Sequence, residues 1–129
     1  EAQPEQTEAA GRDDSGKKDE LLDDIKDRIV VIESNLETLT KNKSLYVTQN
    51  EQYQQQRQKS EERIQNLKND PYVNPKDSKD SIDFEESKLK DIQDKITANE
   101  AKIQNADKMI EAQMRMKERL EGEMAKANK

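Results

Sequence analysis

The sequence contains no cysteine, no histidine and no tryptophan, and only one phenylalanine among its 129 residues. The absence of cysteine and histidine excludes disulfides, thiol nucleophiles, imidazole bases and the usual zinc ligands. No apolar run approaches the roughly 20 residues that a transmembrane helix needs. We therefore expect a protein that is not an enzyme, holds no metal or cofactor and does not insert into a membrane.

Apolar residues are also scarce, since 29% of the chain is hydrophobic and 40% is charged. This is too little apolar material for a thick core, but it suffices for a narrow seam between helices. Disordered chains share such a composition, so the spacing of the apolar residues must distinguish packed helices from a disordered chain.

The net charge is −6, and the acidic residues are concentrated at the start of the chain. Residues 1–20 contain seven acids and three bases, a net −4, so residues 21–129 carry −2. Beyond residue 20, Lys and Glu are interspersed along the chain, whereas a nucleic-acid-binding protein typically has a basic face. We therefore expect no nucleic-acid partner.

Proline and glycine mark the first segment of the chain. Residues 1–16 contain Pro4, Gly11, Gly16 and many acids but no large apolar residue, which predicts a disordered acidic tail. The first residue is not Met, so this terminus is either the mature end left by signal removal or an arbitrary boundary. The first interpretation favours a secreted or periplasmic protein.

Residues 17–69 contain neither proline nor glycine, and their apolar residues follow a heptad repeat when Leu22 is placed at position a. Because a disordered chain would not hold this spacing over seven heptads, the pattern predicts a coiled-coil helix over 17–69. The predicted a and d positions are Leu22, Ile25, Ile29, Ile32, Leu36, Leu39, Lys43, Tyr46, Asn50, Tyr53, Arg57, Ser60, Ile64 and Leu67.

Residues 81–128 repeat the pattern and predict a second helix of similar length. Its a and d positions are Ile82, Glu85, Leu89, Ile92, Ile96, Asn99, Ile103, Ala106, Ile110, Gln113, Lys117, Leu120, Met124 and Ala127.

The stretch DPYVNPKDSKD, residues 70–80, predicts the turn between these helices, because Asp70 precedes a proline and is thereby disfavoured in helical geometry. The sequence thus predicts an all-α fold, a two-helix antiparallel coiled-coil hairpin with a disordered acidic N-terminal tail. A parallel dimer of extended chains is the alternative. The two mid-chain prolines and the matched arm lengths favour the hairpin.

Asn50 and Asn99 face each other if opposing residue numbers add up to 149, a register in which every a position meets a d position. This is then the one layer that is polar on both sides. We predict that the two amides set the register, because a slipped pairing would leave each of them without a partner. Coincidence is the alternative interpretation.

Surplus apolar residues flank the seam near the two chain ends. Val30 and Val31 lie inside an apolar run, and Met109, Met114 and Met116 flank the seam of the second helix. Since methionines suit adaptable contact surfaces, these residues predict a weak homodimer or a partner-binding face. A locally widened seam is the alternative.

The turn carries a second apolar group, formed by Tyr72, Val73 and Phe84. These residues predict either a cap on the end of the seam or a recognition tip that binds another protein.

The predicted function is a structural or protein-binding coiled-coil module that presents a helical rod and its turn to a protein partner. In overall form it resembles the antiparallel helical hairpins of flagellar and type III stalk proteins and of periplasmic adaptors, a likeness of architecture without a shared motif. Alternatives are therefore a stalk or chaperone component of a secretion system and a phage-type scaffolding protein.

Overall fold

The computed structural model is an all-α hairpin of two long helices that pack against each other. Helix α1 spans Ala2–Asn69 and helix α2 spans Pro75–Ala127, and residues 70–74 join them. The structure describes residues 16–128. The predicted disordered tail, residues 1–16, lies outside the described residues except for Gly16.

The heptad frame predicted from the sequence is confirmed in both helices. Every residue assigned to position a or d is buried or half-buried. Among the other residues in the described range, only Val73, Ser78 and Lys88 are not exposed. The apolar stripe of each helix is therefore the surface that the two helices bury against each other.

The chain divides into two compact units, and each contains a segment of both helices. The terminal unit comprises residues 1–39 and 109–129, and the turn unit comprises residues 40–108. The terminal unit has a core of Ile25, Ile29, Ile32 and Leu120, against which Leu36 and Met124 pack. In the turn unit the buried apolar residues are Ile64, Ile92, Ile96 and Ala106.

Most side-chain contacts between the helices fit the predicted register within each unit, because their residue numbers add up to within one of 149. Examples are Asn35–Gln113 and Glu33–Lys117 in the terminal unit, and Lys43–Asp107 and Arg57–Gln93 in the turn unit. The exceptions are Ser60–Glu85 and the contacts of Asn50 and Ser78 with the backbone carbonyls of Ile96 and Leu67, whose residue numbers add up to 145 or 146.

Helix α2 begins earlier than predicted, at Pro75 rather than at residue 81, so the turn is shorter than the predicted 70–80. Asn74 supplies the reason, because its Oδ1 accepts a hydrogen bond from the backbone N–H of Lys76 at 3.0 Å and caps the helix. Proline suits the first helical position, where its fixed φ is already helical and its missing N–H is not needed.

Side-chain hydrogen bonds also stabilise the turn. Asp70 Oδ1 accepts a hydrogen bond from the backbone N–H of Tyr72 at 2.9 Å. On the first turn of α2, Ser78 Oγ donates to the backbone carbonyl of Leu67 at 3.2 Å. The last turn of α1 and the first turn of α2 are thus tied to each other directly.

Candidate protein-interaction surfaces

A buried carboxylate lies in the seam of the turn unit. Glu85 is 7% exposed, and its Oε2 accepts a hydrogen bond from Ser60 Oγ at 2.5 Å. Its Oε1 lies 3.4 Å from Arg63 Nη1 and 3.7 Å from Lys88 Nζ. The Ser60 hydrogen bond lowers the pKa of Glu85, the charges of Lys88 and Arg63 lower it further, and burial partly opposes them. This ionised side chain joins the two helices.

The two seam asparagines bond across the seam, although not to each other. Asn50 Nδ2 donates to the backbone carbonyl of Ile96 at 3.4 Å, and Asn99 Nδ2 donates to Gln49 Oε1 at 3.2 Å. Asn50 Oδ1 is buried without a hydrogen-bond partner. Their role in setting the register stays a prediction, and it rests on contacts to the opposite helix rather than on an amide pair.

The turn presents one aromatic ring to solvent. Tyr72 is 95% exposed, whereas the neighbouring Val73 is half-buried. Phe84 is also exposed, and Lys88 Nζ lies 4.6 Å from the centre of its ring. Of the three apolar residues predicted at the turn, Tyr72 and Phe84 are therefore accessible to a partner, and Val73 faces inward.

The apolar residues predicted as a partner face in the terminal unit do not form one surface. Val30, Val31, Met109, Met114 and Met116 are all exposed. However, successive helical residues point about 100° apart, so Val30 and Val31 face different directions.

Val31 and Met116 of this set line a common groove, which has Ile32 and Leu120 beside them. Charged and amide side chains complete its lining, namely Asp27, Arg28, Arg119, Glu123, Asn35 and Gln113.

Basic residues of the turn unit gather on one side of the seam. Lys88, Lys95 and Lys102 follow one another at intervals of seven residues along α2. Lys95 Nζ lies 5.8 Å from the ring centre of Tyr53, and Lys102 Nζ lies 5.3 Å from that of Tyr46.

Two cations of α1 lie on the same side, since one groove is lined by Lys59 and Arg63 together with Lys88, Lys95 and one acid, Asp91. We name this surface the basic face. Its members are Lys59, Arg63, Lys88, Lys95 and Lys102.

Acidic residues occupy the opposite side of the same seam. Arg57 reaches over this side, where Nη1 donates to Gln93 Oε1 at 3.0 Å and Nε lies 3.9 Å from Glu61 Oε1. Glu86 and Glu100 lie one heptad before and after Gln93, and Asp107 lies one heptad further, where it pairs with Lys43 at 2.6 Å. We name this surface the acidic face. Its members are Glu61, Glu86, Glu100 and Asp107.

Interspersed Lys and Glu in the sequence therefore do not exclude separate basic and acidic rows in the turn unit. Along the chain Lys and Glu alternate, but around the seam they separate, because lysines of α2 recur at heptad position g and acids at position e. Sorting the charges by heptad position would have found both faces. The absence of a nucleic-acid partner stays a prediction.

In residues 16–128 no group of three or more acidic residues is placed to hold a metal ion. Neither helix carries, over the same residues, a stretch long and apolar enough to cross a membrane.

The fold is that of a two-helix antiparallel hairpin. No protein-family model, curated protein or solved structure matches the chain.

Proposed function

We propose that the protein is a non-enzymatic protein-binding hairpin that presents its turn to a protein partner. The observation that carries this proposal is the 95% exposure of Tyr72 on the turn between the helices. Tyrosine is one of the residue types that dominate the binding energy of interfaces. An exposed tyrosine at the end of a helical hairpin is well placed to enter a pocket of another protein.

The rigidity of the turn supports the same proposal. Asp70 and Asn74 accept hydrogen bonds from backbone N–H groups, and Ser78 donates one to the opposite helix, so the chain is fixed on both sides of Tyr72. A ring held out by an ordered backbone loses less conformational entropy on binding than one on a flexible loop. Phe84 adds a second exposed ring in the turn unit.

Photocrosslinking of the full chain in cells tests this proposal. A photoreactive phenylalanine analogue at position 72 should capture one protein, and the analogue at position 84 should capture the same protein. The matched control is the analogue at Val47, an exposed residue of the turn unit that lies on α1 rather than at the turn.

With the captured protein purified, Tyr72→Ala should weaken binding at least tenfold, the loss typical of a central interface residue. Equal capture from position 47, or unchanged affinity in Tyr72→Ala, would overturn the proposal.

The proposal includes weak self-association of the terminal unit through the groove that Val31 and Met116 line. Sedimentation equilibrium in about 1 M salt, where contacts between surface charges are screened, should show a mass that rises with concentration, and Val31→Glu with Met116→Glu should abolish the rise. Val30→Glu is the control, because Val30 is equally exposed but lies outside the groove. A strictly monomeric wild type up to millimolar concentration would contradict the dimer.

A further inference from the structure

We propose that the turn unit also packs side by side with a second copy of the chain, with the basic face of one copy against the acidic face of the next. This inference is independent of the proposed binding through the turn. It rests on the separation of charge to opposite sides of one seam.

The spacing of the two charged rows supports a helix-to-helix contact. Lys88, Lys95 and Lys102 recur every seven residues, which places successive lysines about 10.5 Å apart along α2. Glu100 and Asp107 continue the row of Gln93 at the same interval. Because the two rows have the same spacing, successive lysines of one copy can lie opposite successive acids of its neighbour. Charges that flank the seam of coiled coils select partners in the same way.

The charges that the contact needs are available on the surface. In the described chain no ion pair engages Lys59, Lys95 or Lys102, nor Glu86 or Glu100, and all five are exposed. Arg63 and Lys88 contact Glu85, so they contribute less to an outside partner. Lys95, Lys102 and Glu100 are therefore the residues that should contribute most.

A second copy explains more of the structure than a separate polyanion does. A nucleic acid could bind the basic face, but it would leave the acidic face without a role. The second copy supplies both surfaces with the same spacing. Because the contact joins two different faces, every added copy leaves one unused face at each end, so the assembly is open-ended.

Complementary charge reversal tests this inference. One variant carries Lys95→Glu and Lys102→Glu, and the other carries Glu86→Lys and Glu100→Lys. All chains also carry Val31→Glu and Met116→Glu, which removes any contribution from the groove of the terminal unit. Circular dichroism verifies that each chain remains helical.

Sedimentation equilibrium of the unreversed chain in dilute buffer should give a mass above the 15.0 kDa of the single chain. The mass should fall to that of one chain in about 1 M salt, where the screening length is about 3 Å. Each reversed variant alone should remain at one chain. An equimolar mixture should regain a mass above that of one chain, because one variant then carries acids on both faces and the other carries bases on both.

Lys68→Glu with Lys90→Glu is the matched control, since it changes the charge equally but alters no residue of the basic face. This chain should assemble like the unreversed one. A monomeric mixture of the two reversed variants would overturn the inference. Binding of a single-stranded oligonucleotide to the basic face without any rise in protein mass would also overturn it, in favour of a polyanion site.

Discussion

Glu85 shows how one side chain can connect two helices that share little apolar surface. Its heptad position predicts a place in the seam, but not its partner, because the register puts Ser60 opposite Leu89 rather than Glu85. The hydroxyl reaches the carboxylate one helical turn away. Buried carboxylates are stable in such a place when hydrogen bonds and cations surround them.

Glu85 should make the stability of the fold depend on pH. Its pKa in the folded chain lies below its ordinary value, so the ionised group stabilises the fold above the ordinary pKa. This contribution is lost as the pH falls through the folded pKa. We expect Glu85→Gln to lower the melting temperature at pH 7, and the difference from wild type to shrink below about pH 4.

Thermal unfolding followed by circular dichroism from pH 7 to pH 3 measures this effect. The control is Glu86→Gln, which removes the same charge from an exposed neighbour. A difference between Glu85→Gln and wild type that stays constant over this range would contradict the assignment.

Asn50 and Asn99 should lower the free energy of unfolding and make the register more uniform. Because Asn50 Oδ1 is buried without a partner, Asn50→Leu with Asn99→Leu should raise the free energy of unfolding by about 1 kcal/mol. The register or oligomeric state should become less uniform at the same time. Urea unfolding and sedimentation velocity measure the two effects. Asn42→Leu, at an exposed site, is the control, and a clear loss of stability in the double variant would refute the prediction.

At the scale of the element, periodicity predicts the helices wherever apolar residues recur. It cannot predict the first turn of α2, because residues 75–81 contain no large apolar residue to reveal a period. The signal there is local, an asparagine cap followed by proline. The basic and acidic faces are also features of the helices. A count of charges along the sequence does not reveal them, because residues that are neighbours in the sequence point in different directions on a helix.

Asn74→Ala should fray the first turn of α2 and lower the free energy of unfolding by about 1 kcal/mol, the usual value of a helix cap. Urea denaturation measures the change. Asn42→Ala serves as control, because Asn42 lies exposed inside α1, where alanine is the better helix former. Equal effects of the two substitutions would mean that Asn74 does not act as a cap.

At the scale of the whole molecule, the sequence predicts the hairpin but not which exposed residues act together. With a turn between two unbroken heptad patterns, an antiparallel hairpin buries the apolar stripes of both helices against each other. The surplus valines and methionines lie close together along the chain, whereas helical rotation distributes them over several directions. For Tyr72 the sequence leaves open whether the ring caps the seam or is exposed as a recognition tip, and in the structure the residue is exposed.

Crosslinking tests the antiparallel pairing in the terminal unit. Ile25→Cys with Met124→Cys should form a disulfide within one chain under dilute oxidation, because Met124 packs against the cluster that contains Ile25. Ile25→Cys with Lys117→Cys, one heptad out of register, should not. Denaturing electrophoresis separates the products, and crosslinks found only between chains would refute the hairpin.

The three tyrosines make the protein its own optical probe. With no tryptophan to dominate the emission, ultraviolet fluorescence comes from Tyr46 and Tyr53, half-buried in the seam under lysine ammonium groups, and from the solvated Tyr72. A neutral quencher should reduce the emission of Tyr72 at lower concentrations than it needs for Tyr46 and Tyr53. Quenching therefore reports occupancy of the turn, and the residual emission reports separation of the helices, both in the unlabelled wild-type chain.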